Sequence, residues 1–416
     1  LFAYDSLPKI TFRNLTLKCY SKNDSSVIYN TGGAYYPTKG AWKGYGGHVD
    51  WQRAGLSENM VRAILAKYAI KLKSSGFTAD SVKFFNKKYF DELLTGRLIE
   101  KVKANVTTEN ASYPRFASYE TKLKIENLFE NINYHGGFSM HGAKLIGSGN
   151  KNENAKIIFK LIVDNDSIKR NQEQFIVASS KKFIIDDEKI TSSKSAVTIY
   201  LENDSIYHPQ LRLKFIIKKV NNMVIGRELV LIREDLGLAQ SPYFNSYHML
   251  EMNFEALYWD VDHTLLRFKK LKGLGSESTA SFESADYFRR RKYDRIQGRD
   301  QVNPLIEVML FSKKNHKTKD FYTYELADFL RLPITDVRQS IMHLTNLGFL
   351  SYNLDEDRVH IKDKLFNYLQ YNTGKLDYDV ISFVSNTKRN KDNAQLNLLN
   401  FDLEVNGVSS IFLSDS

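Results

Sequence analysis

Residues 211 to 215 read Leu-Arg-Leu-Lys-Phe, and residues 196 to 201 read Ala-Val-Thr-Ile-Tyr-Leu. Apolar and polar side chains alternate along both stretches, as they do from Ile10 to Leu17. Alternation is typical of a strand with one buried face, because successive side chains of a strand point to opposite faces of the sheet. Clusters of Gly, Asn, Asp and Ser separate these stretches and favour turns. The sequence therefore predicts a mainly β protein built of antiparallel sheets.

Repeated β units are one form that this architecture can take. The dipeptide Asp-Ser recurs at residues 24, 80, 166 and 204, and each copy is soon followed by a β-branched residue. A turn at Asp-Ser that leads into the next strand explains the recurrence, and so does coincidence. Two architectures are therefore predicted as alternatives: repeated or jellyroll-like β units, and antiparallel sheets without a repeat.

One helix is expected to interrupt the opening segment, near residues 57 to 70. Ser57 can cap this helix, and Glu58 suits its first turn. The apolar residues that would share one helical face are Met60, Val61, Ile64, Leu65 and Tyr68. We expect this face to pack across a sheet.

Helical spacing takes over after Asn303, which can cap a helix that begins at Pro304. Two more helices are predicted near residues 324 to 330 and 334 to 347, and Gly348 ends the last of them. Residues 349 to 352 and 358 to 361 then indicate two short strands joined by an acidic turn. This order resembles a winged helix, and strand-like sequence returns after it. A winged-helix-like module is therefore predicted as an insertion.

These patterns divide the chain into four segments. We expect a β-rich unit over residues 1 to 150, a second over 151 to 300, the inserted module over 303 to 370, and a strand-rich return over 375 to 416. The chain begins at Leu1 without a visible export signal, so we expect it to be a piece of a longer protein.

Composition limits the possible functions. The chain has 416 residues, 42% hydrophobic and 26% charged, and its apolar runs stay far below the roughly 20 residues of a membrane helix. Its one cysteine, Cys19, has no second thiol for a disulfide. His135 and His141 lack an evident third ligand, so no metal centre and no cofactor are predicted.

The net charge of +11 favours an acidic partner wherever the charge is concentrated on one surface. The densest basic cluster is interleaved with aromatic rings and comprises Tyr287, Arg289, Arg290, Arg291, Lys292, Tyr293 and Arg295. Such a cluster can hold phosphates while its rings stack, or it can form a solvated surface. A second candidate is an aromatic platform for a glycan, formed by Trp42, Tyr45 and Trp51. The alternative is that these rings belong to the core.

Two further motifs suggest other functions. Asp260, Asp262 and Thr264 resemble the Asp-x-Asp-x-Thr motif of haloacid-dehalogenase-type phosphatases, which implies a nucleophile, an acid/base and Mg²⁺. A matching Ser385 is available, but no later Gly-Asp-x-x-x-Asp motif follows. The winged-helix-like segment suggests DNA binding, yet its nine basic residues are balanced by nine acidic ones, three of them in the predicted wing turn. Neither an enzyme nor specific DNA binding is the leading expectation.

Several short strings resemble large envelope or secreted proteins of Bacteroidetes-type bacteria whose activities are not assigned. The strings are residues 113 to 119 (Tyr-Pro-Arg-Phe-Ala-Ser-Tyr), 134 to 140 (Tyr-His-Gly-Gly-Phe-Ser-Met), 203 to 209 (Asn-Asp-Ser-Ile-Tyr-His-Pro), 393 to 398 and 407 to 408. Residues 78 to 84 with Gly96 are also similar to the β-jellyroll repeats of lipopolysaccharide-transport proteins.

The resemblance to envelope proteins implies a location in the cell envelope, either periplasmic or associated with the outer membrane. We therefore expect a non-enzymatic scaffold or interaction protein of the envelope. Its expected partners are other envelope proteins, or a glycan or lipopolysaccharide-like polyanion.

Overall fold

The computed structural model describes residues 7–21, 24–74, 76–151, 153–164, 169–270, 277–285, 296, 303–315, 318–373, 381–388 and 391–413. Antiparallel strands account for most of this part of the chain, and its α-helices all lie between residues 304 and 372. The prediction of a mainly β protein with an inserted helical segment is confirmed. Contacts divide the chain into two compact units, Leu1–Ala155 with Lys181–Asp187, and Lys156–Ser180 with Glu188–Ser416.

The first unit is an antiparallel sheet system. Its strands are β1 (Ile10–Ser21), β2 (Asp24–Tyr36), β3 (Ala41–Tyr45), β4 (His48–Asp50), β5 (Val61–Ile64), β6 (Lys67–Lys71), β7 (Gly76–Asn86), β8 (Leu94–Lys101), β9 (Arg115–Ser118), β10 (Leu123–Phe129), β11 (Ile132–His141), β12 (Lys144–Ser148) and β15 (Lys182–Asp186). The strands β1, β2, β3, β6 and β7 lie side by side in that order. The order continues through β8, β9, β11, β12 and β15.

The helix predicted near residues 57 to 70 is wrong, because strands β5 and β6 occupy that stretch. Val61 and Ala63 are buried there, whereas Met60 and Ile64 are exposed. Burial therefore alternates with a period of two. On a helix, the predicted apolar face would have buried Met60 and Ile64 as well. β-Branched residues such as Val61 also favour a strand on such a surface.

Aromatic rings fill the core of the first unit. Phe84 stacks on Phe116 with ring centroids 4.0 Å apart, and Trp51 meets Phe84 edge-on at 5.2 Å. Phe138 packs against both phenylalanines. These rings come from three strands of the sheet and from the loop after β4, so their burial holds that loop against the sheet.

The second unit is also built of antiparallel strands. They are β13 (Ala155–Asp164), β14 (Lys169–Ser180), β16 (Lys189–Leu201), β17 (Asp204–Val220), β18 (Met223–Ile232), β19 (Tyr243–Asn245), β20 (Leu250–Asn253), β21 (Ala256–Asp260), β22 (Leu265–Lys269), β23 (Glu277–Ser284), β27 (Ser382–Lys388), β28 (Ala394–Asn397), β29 (Leu403–Val405) and β30 (Val408–Phe412). The alternation used to predict β17 is confirmed, because Leu211, Leu213 and Phe215 are buried and the residues between them are exposed. Trp259 on β21 packs against Phe159 and Phe175 to form part of the core.

The helical module is inserted between two neighbouring strands. The strands β23 and β27 pair along seven residues, and the module lies between them in the chain. Its elements are α1 (Pro304–Lys314), β24 (Asp320–Tyr322), α2 (Thr323–Leu330), α3 (Ile334–Asn346), β25 (Leu350–Asn353), β26 (Arg358–Ile361) and α4 (Asp363–Asn372). The three predicted helices and the hairpin are confirmed, whereas β24 and α4 were not predicted. The module resembles a winged helix in the order of its helices and strands, and its membership of that fold stays a prediction.

The module has one apolar core. Buried side chains from its helices and strands meet there, including Leu305, Val337 and Ile341. Leu238, from the scaffold before β19, completes the same cluster. The module is therefore packed onto the β scaffold of the second unit and shares its core with it. In the described residues, no helix has the length and apolarity required to cross a membrane.

Candidate functional site

An open groove of about 870 Å³ lies on the sheet formed by β1, β2, β3, β6 and β7 in the first unit. Its floor is a row of direct cross-strand neighbours, one from each strand. In order across the sheet these are Thr11, Ala34, Lys43, Ala69 and Thr78. Four of the five side chains are small, so the floor stays low and leaves room for a ligand. We call this feature the sheet groove.

Tyr45 forms a wall of the sheet groove. Its ring lies over Gly32, the residue opposite it on β2, and the side chain is 51% exposed. A Cβ atom at Gly32 would lie 2.6 Å from the ring, so only glycine leaves space for the ring in this position. An aromatic ring that covers a cross-strand glycine is a recurrent way to support a sheet. Here it also presents a ring face to solvent.

Three lysines give the sheet groove its charge. Lys9, Lys43 and Lys67 line it together with one acid, Asp80. Arg97 offsets Asp80, because its Nε lies 3.2 Å from the Asp80 carboxylate. The groove is therefore positively charged. The sheet holds Lys43 on β3 and Lys67 on β6 at fixed spacing, and Lys9 directly precedes β1.

Polar contacts support the sheet beneath the groove. The Tyr68 hydroxyl accepts a hydrogen bond from Trp42 Nε1 at 3.3 Å and lies 2.8 Å from Thr31 Oγ1. Burial raises the pKa of Tyr68, so its phenol stays neutral at ordinary pH. The Tyr68 ring in turn covers Gly44, where a Cβ atom would lie 2.1 Å from it. These contacts fix the backbone that carries Lys43 and Tyr45.

The predicted aromatic platform is wrong in two of its three residues. Trp42 is 5% exposed and Trp51 is fully buried, so both rings belong to the core. Trp42 and Tyr45 are three residues apart on one strand, and an odd spacing places them on opposite faces of the sheet. Only Tyr45 lies in the sheet groove. The predicted basic cluster, from Tyr287 to Arg295, lies outside the described residues.

Sequence reasoning missed the three groove lysines. Each is a single lysine in or beside a strand whose other residues alternate normally, which is the usual pattern of a solvent-facing position. Their common face appears only when the register of β1, β3 and β6 is known. Tyr45, which the sequence had already suggested as a binding residue, was the available signal for this face.

A smaller cavity of about 230 Å³ lies elsewhere in the first unit, lined by Glu100, Arg53 and Asp50 among others. Burial raises the pKa of Glu100 to about 7, although the neighbouring Arg53 opposes the shift. Arg53 Nη1 also lies 2.9 Å from the Asp24 carboxylate. In the described residues, no group of three His, Cys, Asp or Glu side chains has a geometry for a metal ion. The arrangement fits a structural ion-pair network in which Arg53 connects strands and loops that are distant in the sequence.

The phosphatase-like motif lies at the end of an antiparallel strand. Asp260 is the last residue of β21, which pairs with β18 and β22. Its carboxylate lies 3.1 Å from His263 Nδ1, and Arg227 donates to Asp262 at 3.1 Å from its Nε. Ser385 is fully buried on β27 and donates to the Asn406 carbonyl at 2.6 Å. The haloacid-dehalogenase resemblance implies a parallel strand before the nucleophile, and this strand is not parallel.

The third helix and the acidic turn of the module, which would face DNA in a winged helix, are engaged in internal contacts. On α3, Arg338 Nη2 lies 3.1 Å from the Asp357 carboxylate in the turn between β25 and β26. Tyr352 donates to the same carboxylate at 2.7 Å. Burial raises the pKa of Asp357, but hydrogen bonds from Arg338 and Tyr352 outweigh it and hold that pKa below its ordinary value. Arg338 is thus paired with the acidic turn.

Comparison of the chain with protein-family models, with curated proteins and with solved structures finds no match in any of the three.

Proposed function

We propose that the chain is a non-enzymatic binding protein of the cell envelope whose sheet groove holds a glycan that carries anionic groups, such as a lipopolysaccharide-like polyanion. The observation that carries the proposal is the combination, on one sheet face, of an exposed Tyr45 ring, a low floor and three lysines. The envelope location is supported by the resemblance of strings such as residues 134 to 140 to envelope proteins.

Each part of the groove matches a part of such a ligand. A sugar ring can lie against the face of Tyr45, because its C–H surface is apolar. Phosphate or carboxylate groups attract Lys9, Lys43 and Lys67. The hydroxyls of Thr11 and Thr78 on the floor can exchange hydrogen bonds with sugar hydroxyls. The groove is open, so it suits a segment of a longer chain.

The charge of the groove gives the test. We expect purified lipopolysaccharide to bind the wild-type protein at low salt and uncharged dextran to bind much more weakly, because the attraction depends on anionic groups. The double variant Lys43→Gln/Lys67→Gln should weaken lipopolysaccharide binding about tenfold, as expected for the loss of roughly 1.4 kcal/mol. Isothermal titration calorimetry measures all three affinities.

Lys124→Gln is the matched control, since Lys124 is an exposed strand lysine of the same unit that does not line the groove. Its affinity should equal that of the wild type. If the groove variant and the control bind equally well, or if dextran binds as tightly as lipopolysaccharide, the proposal is wrong.

A further inference from the structure

A two-stranded ribbon projects beyond the sheet of the second unit. On one side, the pairing of β17 with β16 ends at Ile216, and the last contact is the Ile217 N–H to the Glu188 carbonyl. On the other side, the pairing of β18 with β21 ends at Glu228, and Arg227 makes the last contact through its carbonyl. In the described residues, no other strand pairs with residues 218–226. We call these nine residues the hairpin tip.

The hairpin tip closes in a two-residue turn and contains one register irregularity, since Lys218 pairs with Gly226 and Lys219 with Val224, which leaves Ile225 without a direct partner in the register. Asn221 and Asn222 both have positive φ, 49° and 63°, as a two-residue type I′ turn requires. Asn tolerates this conformation better than most residues. Val220 pairs with Met223 across the turn. About three residues on each side rise beyond the sheet, which corresponds to roughly 10 Å.

The side chains of the hairpin tip are apolar and exposed. Val220 is 52% exposed, Met223 67%, Val224 55% and Ile225 62%. Three of these residues are consecutive, so their side chains cannot all point to one face of the ribbon. Apolar surface therefore surrounds the tip on both faces. A flat protein surface covers only one face of such a ribbon, whereas the interfacial region of a bilayer surrounds all of it.

Lysines follow directly behind the apolar residues. Lys218 Nζ lies 2.9 Å from the Glu228 carboxylate, and Lys219 Nζ lies 3.0 Å from that of Glu188. Both acids are farther from the turn than the lysines, because Glu228 pairs with Ile216 and the Glu188 carbonyl accepts from the Ile217 N–H. The order along the ribbon is thus apolar tip, then ammonium groups, then carboxylates. This order matches a bilayer interface, where acyl chains lie below phosphates and lysines reach the phosphate level.

We propose that the hairpin tip inserts into the interfacial region of an anionic lipid bilayer. Its apolar side chains enter the boundary between head groups and acyl chains, and Lys218 and Lys219 contact lipid phosphates. The lysines also shift from their glutamate partners toward these phosphates, so binding strengthens as the fraction of anionic lipid rises. This contact is independent of the sheet groove, since the two lie in different units.

Vesicle flotation with the full chain tests the proposal. Vesicles of phosphatidylglycerol and phosphatidylcholine in equal parts should carry the wild-type protein, and pure phosphatidylcholine vesicles should carry less. The variant Met223→Ser/Ile225→Ser should bind the mixed vesicles at least about tenfold more weakly, because two apolar side chains no longer leave water. Leu236→Ser is the matched control, since Leu236 is 76% exposed in the same unit but outside the tip. It should bind like the wild type.

Three results would overturn the proposal. The first is a wild-type protein that does not float with the mixed vesicles. The second is a tip variant that floats as well as the Leu236→Ser control. The third is that light scattering shows an oligomer for the wild type and a monomer for the tip variant, while both float equally well. The tip would then contact a second copy of the chain instead of a bilayer. Circular dichroism of both variants ensures that a loss of flotation reflects the tip and not unfolding.

Discussion

Gly32 and Tyr45 show how a single residue shapes the candidate site. A methyl group at Gly32 would lie 2.6 Å from the Tyr45 ring, so Gly32→Ala should displace this flexible side chain from the groove wall. We expect weaker lipopolysaccharide binding in calorimetry, with a small change in melting temperature. The control is Lys124→Gln, because Lys124 is an exposed strand residue of the same unit that does not line the groove. Equal binding by the two variants would show that the position of Tyr45 is unimportant.

His208, on β17, is a buried histidine. Its Nε2 lies 2.9 Å from the Ser241 carbonyl, and its Nδ1 accepts from the Gln210 N–H at 3.1 Å. Burial lowers the pKa of His208 to about 3, so the folded protein keeps the imidazole neutral. We expect its NMR signal, identified with the variant His208→Gln, not to titrate between pH 8 and pH 5. A midpoint near 6.5 would contradict this environment.

The same residue makes folding stability depend on pH. The unfolded chain binds a proton at His208 below about pH 6.5, whereas the folded chain does not until about pH 3. The contribution of His208 to folding stability is therefore largest above pH 6.5 and decreases as the pH falls from 6.5 toward 3. Between pH 7.5 and pH 5 the loss is about 2 kcal/mol. In urea unfolding, the change in stability between pH 7.5 and pH 5 should be less favourable in the wild type than in His208→Gln by this amount, because all other titrating groups, Glu100 included, are common to both proteins.

At the scale of elements, a buried ion pair fixes the helical module to the scaffold. Lys364, on α4, is fully buried, and its Nζ lies 2.8 Å from the Glu251 carboxylate on β20. Burial lowers the pKa of the neighbouring Lys362, whose Nζ lies 3.4 Å from the same carboxylate. Glu251→Gln should destabilise the module by about 3 kcal/mol, because the buried ammonium loses its countercharge. Limited proteolysis between residues 303 and 372 measures this loss.

Lys319→Gln gives the comparison for that experiment. Lys319 pairs with Asp363 at 2.6 Å, but both side chains are largely in water. Its loss should change stability by about 1 kcal/mol or less. If both variants are cleaved at the same rate, the buried pair does not hold the module in place.

Elements also show where sequence patterns suffice. The helices α1, α2 and α3 could be predicted, since Asn303 caps the first and Gly348 ends the last. The helix α4 could also have been predicted, because Leu365 and Tyr368 follow helical spacing and are buried. The stretch from Ser57 to Tyr68 fits both periods over a few residues, and only its partners in the sheet decide that it forms strands.

At the scale of the molecule, the candidate site could not be read from the sequence. Lys43 and Lys67 lie on β3 and β6, which are neighbours in the sheet although β4 and β5 separate them in the sequence, and Lys9 directly precedes β1. Strand order is a long-range property that alternation does not encode. The sequence grouped Tyr45 with Trp42 and Trp51, but only Tyr45 is exposed in the groove, whereas the two tryptophans are buried.

Lysine labelling tests the central claim most directly. The full chain is acetylated with and without lipopolysaccharide, and the modification of each lysine is measured by mass spectrometry. We predict that the ligand protects Lys9, Lys43 and Lys67 and leaves Lys124 unchanged, because only the first three line the sheet groove. Protection of Lys292 alone would place the ligand on the basic segment from Tyr287 to Arg295 and would contradict the groove as the binding site.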